Sequence, residues 1–268
     1  MQEIIFATLA IGVIGLVIGL GLVTASKKFY VEEDDRVSRV RECLRGANCG
    51  ACGYAGCDAL AEAIVSGEAH MDACPGNSTE NIAKIAAVLG KDSVSQNPQV
   101  ACVRCSGTCD AAKMKAQYVG LQDCRAAVLN GLSFTGCANG CLGLGSCVKA
   151  CPQGAISVVN GVAVVDRRKC IGCGLCEKTC PKHLIAMQDR KLSAAVICSS
   201  HEKGAAVKKN CSAGCIGCGI CVKQCEHDAI TLDKNLAQVD SDKCIACGKC
   251  AEKCPTKAIR LMHQQVKV

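Results

Sequence analysis

The chain has 268 residues, of which 27 are cysteine, and it has no tryptophan, three phenylalanines and three tyrosines. Its length excludes a small secreted domain stapled by disulfides, and its cysteines sit too close in sequence to bridge distant segments. The formal charge of +7 invites a nucleic-acid reading, but it counts every cysteine as neutral, whereas metal-holding cysteines are thiolates and the metal's own charge belongs in the sum.

The first predicted element is apolar. Ile4 to Ala25 carries no charged residue and is long enough to cross the hydrocarbon core as a helix. A cleaved signal peptide would want a basic start, and only Gln2 and Glu3 precede the run. Lys27 and Lys28 close it, which places the rest of the chain in the cytoplasm by the positive-inside rule. Reduced thiols need that compartment too. Gly15 and Gly19 offer a small face for another helix, or are simply ordinary membrane-helix glycines.

A first cysteine module follows a polar stretch, with Cys49, Cys52, Cys57 and Cys74 in the pattern C-x2-C-x4-C-x16-C. Leu60, Ala61 and Ile64 at helical spacing make the long gap a helix. A second helix is expected from Thr79 to Leu89, capped by Asn77 or Ser78, with Ile82, Ile85, Ala86 and Leu89 as its buried stripe and Gly90 as its stop. Residues 91–98 read as a linker. Next come Cys102, Cys105, Cys109 and Cys124, a less diagnostic set that holds either another cluster, a zinc ion or only structural thiols.

The remainder is an internal repeat. Cys137, Cys141, Cys147, Cys151, Cys170, Cys173, Cys176 and Cys180 recur 74 residues later, without a gap, as Cys211, Cys215, Cys221, Cys225, Cys244, Cys247, Cys250 and Cys254. Ile156–Val159 and Val162–Val165 flank Asn160-Gly161, a type I′ hairpin signal. The runs Cys170-x2-Cys173-x2-Cys176-x3-Cys180-Pro181 and Cys244-x2-Cys247-x2-Cys250-x3-Cys254-Pro255 have the form that holds 4Fe-4S clusters in bacterial ferredoxins. Zinc sites show separated C-x2-C pairs instead. With so few aromatic side chains, clusters must supply much of the interior, and their binding energy would be folding energy.

In such ferredoxins the fourth cysteine of each run ligates the other cluster. This rule assigns Cys215, Cys218, Cys221 with Cys254, and Cys244, Cys247, Cys250 with Cys225, in the second module. The first module has Leu144 where the second has Cys218. Cys137 is the expected substitute, giving Cys137, Cys141, Cys147 with Cys180, and Cys170, Cys173, Cys176 with Cys151; a three-iron or vacant site is the alternative. Six sets use 24 of the 27 cysteines and leave Cys43, Cys198 and Cys211 as buried thiols or redox-sensing ones. Six oxidised clusters at about −2 each, thiolates included, take the assembled charge to about −5. The histidines, His70, His183, His201, His227 and His263, lack paired spacing and read as surface residues.

The predicted fold is α+β: one N-terminal transmembrane helix, a small helical 4Fe-4S domain, then two tandem ferredoxin modules. The expected divisions are residues 1–27, 28–98, 99–130, 131–198 and 199–268.

The single N-terminal helix, the Asn48–Cys57 segment, the Gly-Thr-Cys-Asp-Ala-Ala-Lys run at 107–113 and Gly-Cys-Leu-Gly-Leu-Gly-Ser-Cys at 140–147 resemble the B subunit of the Rnf complex. That membrane-bound ferredoxin:NAD oxidoreductase couples electron transfer to sodium or proton translocation. The resemblance implies an electron-transfer subunit at the cell membrane, with partners in soluble ferredoxin, integral membrane subunits and an NADH/flavin subunit. It implies no substrate-converting site in this chain, and no G-x-G-x-x-G after a strand and no P-loop is found. A polyferredoxin donor to another reductase is the alternative, and a zinc scaffold a third. Lys203, Lys208 and Lys209 are a candidate docking patch for an acidic ferredoxin, or ordinary solvated lysines.

Overall fold

The structure, a computed structural model, describes residues 2–28, 34–92, 98–131, 134–190 and 194–262, with backbone alone at residues 2–11, 26 and 27. Helix α1 (Gln2–Lys28) is continuous over 27 residues, about 40 Å at 1.5 Å per residue. Its described side chains, Gly12 to Ala25 and Lys28, are all exposed. Among the described residues no helix is long and apolar enough to cross a membrane. The expected crossing at Ile4–Ala25 lies partly outside the described side chains.

Three helices build the first cysteine module: α2 (Asp35–Cys43), α3 (Cys57–Ser66) and α4 (Thr79–Leu89). Asp34 caps α2 by accepting from the Arg36 N–H. Ser78 caps α4 by accepting from the Asn81 N–H, and Gly90 closes α4 in the left-handed conformation. The three helices bury Val40, Leu60, Ala61, Ile64, Ile82 and Ile85 against one another. Each large side chain so buried contributes about 1.5–3 kcal/mol.

Beyond residue 98 the chain builds one arrangement twice. The first copy runs β1 (Gln99–Val103), α5 (Cys124–Leu129), α6 (Ser146–Lys149), β2 (Ile156–Val159), β3 (Val162–Val165), α7 (Leu175–Thr179) and β4 (Ile185–Asp189). The second runs β5 (Ala194–Val196), α8 (Gly204–Asn210), α9 (Ile220–Gln224), β6 (Ile230–Asp233), β7 (Leu236–Val239), α10 (Lys249–Glu252) and β8 (Ile259–Leu261). The hairpin β2–β3 turns through Asn160 at φ +47° and Gly161 at φ +78°, two left-handed residues as a type I′ turn requires. Its repeat β6–β7 turns at Lys234 and Asn235, also at positive φ.

In each copy the first strand pairs antiparallel with the last, Val103 opposite Ile185 and Val196 opposite Ile259. These pairings cross the divisions expected at 130/131 and 198/199. Cys102 lies on the strand that opens the first copy, Cys105 follows that strand, and Ala194–Val196 opens the second copy. Strands of three to five residues hold few side chains to advertise a partner more than sixty residues away. The two modules meet through Cys102 on β1, which packs with Ala195 and Ile197.

Candidate iron-sulfur sites

The described cysteines are all free thiols, with no disulfide among them. Among the described residues no three His, Cys, Asp or Glu side chains converge closely enough to hold a single metal ion. The sulfurs instead line cavities of several hundred cubic ångströms.

The first cavity, about 380 Å³, is lined by Cys49, Cys52, Cys57 and Cys74, the set expected from spacing. Its shape depends on one cap. Gly56 at the start of α3 has no side chain, so the Oδ1 of Asn48 accepts from the Cys57 N–H at 2.9 Å. Asn48 itself sits at φ +46°, where asparagine is tolerated better than most residues. Ile171 and Cys173 of the first ferredoxin module complete the wall.

In the second module Cys215, Cys218, Cys221 and Cys254 line one cavity of about 350 Å³. Burial, then the neighbouring Cys215, Cys218 and Cys254, push the Cys221 thiol up to about 11. Cys250 is likewise raised, by burial and then by Cys244 and Cys247, and it packs with Cys225 and Cys244. In the first module, burial and then Cys170 and Cys173 push Cys176 up to about 12. Cys173 is raised by burial and then by Cys49, Cys151 and Cys170. In the second module Cys215, Cys218, Cys221 and Cys254 share a cavity, and in the first Cys173 stands near Cys151 and Cys170.

The loops match the donor chemistry. Gly143, Gly172 and Gly217 stand between consecutive cysteines at positive φ. A Cβ on Gly143 would lie 2.6 Å from the Gly161 carbonyl, and one on Gly217 would lie 2.8 Å from the Asn235 carbonyl. Backbone N–H groups point at sulfur: Ala155 at Cys151 (3.3 Å), Ala101 at Cys170 (3.5 Å) and Gly107 at Cys105 (3.4 Å). Such donors favour the thiolate and tune a cluster held by it.

Two expected groupings are rearranged. The set Cys102, Cys105, Cys109 and Cys124 does not meet. Cys102 faces away from its neighbours on the strand, into the contact with Ala195 and Ile197, and burial pushes its thiol up to about 11. Cys109 is exposed against the hairpin turn, its N–H donating to the Asn160 carbonyl.

Cys124 lines a cavity of about 440 Å³ with Cys141, Cys147 and Cys180, where Cys137 was expected. Burial, then Cys141, Cys124 and Cys180, push Cys147 up to about 11. Leu144, which fills the position of Cys218, is buried with Ala127, Phe134 and Leu142 in the group that Cys124 packs on. That apolar contact lays α5 over the gap in the cysteine run. Asp123 caps α5 by accepting from the Arg125 and Ala126 N–H groups, and its other oxygen accepts from the Ser146 hydroxyl. Ser146 Oγ in turn accepts from the Cys124 N–H at 2.7 Å. Cys124 is therefore tied to the loop that carries Cys147.

Cys137 lies elsewhere, in a cavity between the two modules of about 520 Å³ that also receives Cys105, Cys198 and Cys211. Spacing left Cys198 and Cys211 unassigned, although Cys211 is the repeat of Cys137. Cys43 packs on the helical module, and His70, His183, His201 and His227 are exposed. His263 lies outside the described residues.

Comparison with known proteins agrees with this chemistry. Residues 44–75 match a family model described as "Putative Fe-S cluster". Residues 133–191 and 205–261 each match a 4Fe-4S dicluster domain, and a third such match at 169–230 joins the second half of one copy to the first half of the next. The chain is 44% identical over 234 residues to the B subunit of the Na+-translocating ferredoxin:NAD+ oxidoreductase complex of Acetobacterium woodii, covering 87% of this chain and 70% of that one. It is 43% identical over 242 residues to the B subunit of the proton-translocating ferredoxin:NAD+ oxidoreductase complex of Clostridium ljungdahlii, covering 90% and 85%. To the B subunit of the ion-translocating oxidoreductase complex of Methanosarcina acetivorans it is 39% identical over 231 residues, covering 86% and 88%. With iron-sulfur domains along its length and this likeness over most of it, the chain belongs to the family of B subunits of the ion-translocating ferredoxin:NAD oxidoreductases (Rnf complexes) and is their iron-sulfur electron-transfer subunit.

Proposed function

We propose that this subunit relays electrons between soluble ferredoxin and the membrane and flavin subunits of its complex, through 4Fe-4S clusters strung along the cytoplasmic face of a membrane to which α1 anchors it. The observation that carries this reading is that neighbouring cysteine sites share walls. Cys173 stands beside Cys49, Cys176 beside Cys147, and Cys141 lines both the Cys147 cavity and the intermodule cavity.

Spacing and cavity lining together support five sites: Cys49, Cys52, Cys57 and Cys74; Cys151, Cys170, Cys173 and Cys176; Cys124, Cys141, Cys147 and Cys180; Cys215, Cys218, Cys221 and Cys254; and Cys225, Cys244, Cys247 and Cys250. Bound clusters supply one-electron carriers there. The chain's own part is to hold each thiolate set, exclude water, and aim backbone N–H groups at the sulfurs, which sets potential. No general acid, base or nucleophile is called for.

Lys203, Lys208 and Lys209 are exposed at α8, the helix that closes the intermodule cavity through Val207 and Asn210. A basic patch over a cysteine-lined cavity is a suitable landing for an acidic ferredoxin. The relatives are named for different ions, sodium in one and protons in another.

Two measurements test the reading. Carbonate washing of membranes should leave the full chain in the pellet and release a chain lacking residues 1–27; release of the full chain would remove the anchor. Cys57→Ala should lose one cluster by EPR and stop ferredoxin-driven NAD+ reduction in the assembled complex; wild-type reduction would refute the relay.

A further inference from the structure

We infer that Cys105, Cys137, Cys198 and Cys211 hold a further 4Fe-4S cluster between the two ferredoxin modules, two ligands from each, and that this cluster joins the modules into one wire. The inference rests on the proposed relay and extends it to a site that neither repeat contains alone.

The two halves of the cavity wall are copies of each other. Arg104 N–H donates to the Leu184 carbonyl at 2.7 Å, and Ile197 N–H donates to the Ala258 carbonyl at 2.7 Å. Leu184 and Ala258 are repeat partners, so Cys105 and Cys198 occupy equivalent places just after the opening strands. Cys137 and Cys211 are equivalent as well, each four residues before the first cysteine of its run. Gly140 and Gly214 repeat in the same way, and the four cysteines and both glycines line the one cavity. Each module thus gives the cavity the same two cysteines by its own repeat.

Burial agrees with the grouping: Cys198 and Cys211 are buried and Cys105 and Cys137 half-buried against the same cavity. The cavity is of the same order of size as the three others lined by four cysteines. Two polar groups in its wall have no partner: Ser106 Oγ, on a residue only 6% exposed, and Arg104 Nε. A hydroxyl and a guanidinium Nε–H left unsatisfied in the wall that carries four sulfurs fit a net anionic group of about −2 charge.

The stretch between β1 and Cys137 braces this site. Lys113 N–H donates to the Asn210 carbonyl, Gly136 N–H donates to the Lys113 carbonyl, and Ser212 N–H donates to the Ala111 carbonyl. These bonds stitch the Cys137 and Cys211 segments to one central segment. Cys141 touches the site on one side, its N–H donating to Cys105 Sγ at 3.4 Å. On the other side Cys198 packs in the same buried group as Cys221. A cluster here sits between the last site of one module and the first of the next.

The test uses anaerobically purified full-length chain and counts iron, acid-labile sulfide and EPR spins. Wild type should carry about 24 irons from six clusters. Cys198→Ala and Cys211→Ala, made separately, should each lose about four irons and one cluster spin, while Cys102→Ala and Cys109→Ala keep the full count. Native mass spectrometry and circular dichroism of the same samples separate the loss of one cluster from unfolding. Retention of all iron by both Cys198→Ala and Cys211→Ala, or loss of four irons by Cys102→Ala or Cys109→Ala, overturns the site. A wild-type chain without iron sinks the relay itself, whereas a wild type with about 20 irons unchanged by either variant sinks only this site.

Discussion

At the scale of single residues, function rests on which sulfur reaches which cavity, and Cys124 is the instructive case. Its ligand position depends on the Asp123–Ser146 relay and on Leu144 beneath it. Cys124→Ala should remove the cluster shared with Cys141, Cys147 and Cys180, seen as a drop of about four irons, and Ser146→Ala should loosen the same cluster, seen as faster loss of visible absorbance to a chelator. An unchanged iron count in Cys124→Ala would contradict the placement. The raised thiols give a pH sign. Cys147, Cys221 and Cys176, at about 11 to 12 against an ordinary 9.0, are protonated in the empty chain at neutral pH. Cluster loading must displace those protons, so reconstitution should proceed further at pH 9 than at pH 7. For the empty folded chain the linkage runs the other way. It holds these protons more tightly than the unfolded chain, so its stability should fall between pH 9 and about 11 to 12, readable by denaturant titration at stepped pH.

Elements matter because each cluster loop is braced by something regular. In the helical module, α3 and α4 bury Leu60, Ile64, Ile82 and Ile85 almost completely. Ile82→Ala should destabilise this module by about 2–5 kcal/mol, lowering the denaturation midpoint while the dicluster modules keep their iron. In the second module, Gly217 holds φ +66° with the Asn235 carbonyl where a Cβ would go. Gly217→Ala should therefore strain the β6–β7 hairpin against the cluster loop, costing on the order of 1–3 kcal/mol for the backbone alone, and shift the EPR signal of the adjacent cluster. The bounds of α4, its Ser78 cap and its Gly90 stop, and the hairpin β2–β3 were all legible in the sequence. Each is a local feature, set by residues within a turn or two of one another. The pairings of β1 with β4 and β5 with β8 were not, because three to five residues carry no period that names a distant partner.

Over the whole molecule, the repeat misled as much as it guided. Cys124 and Cys198 also lie 74 residues apart, yet the strand register equates Cys198 with Cys105, because the first copy carries a longer insertion after its opening strand. The insertion gives the first module its α5 and Cys124, and stitches the modules together around Cys137 and Cys211. What the sequence by itself determined was the chemistry: the repeated C-x2-C-x2-C-x3-C runs point to iron-sulfur clusters, and the ferredoxin rule for the fourth cysteine proposes the crossed sets. Only the tertiary structure decided which distant sulfurs complete the other sites. Cys105, Cys124, Cys137, Cys198 and Cys211 are brought to their cavities by strand pairing and by the burial of Leu144, Cys102 and Ile197, contacts whose partners lie too far apart in the chain for any spacing to announce them.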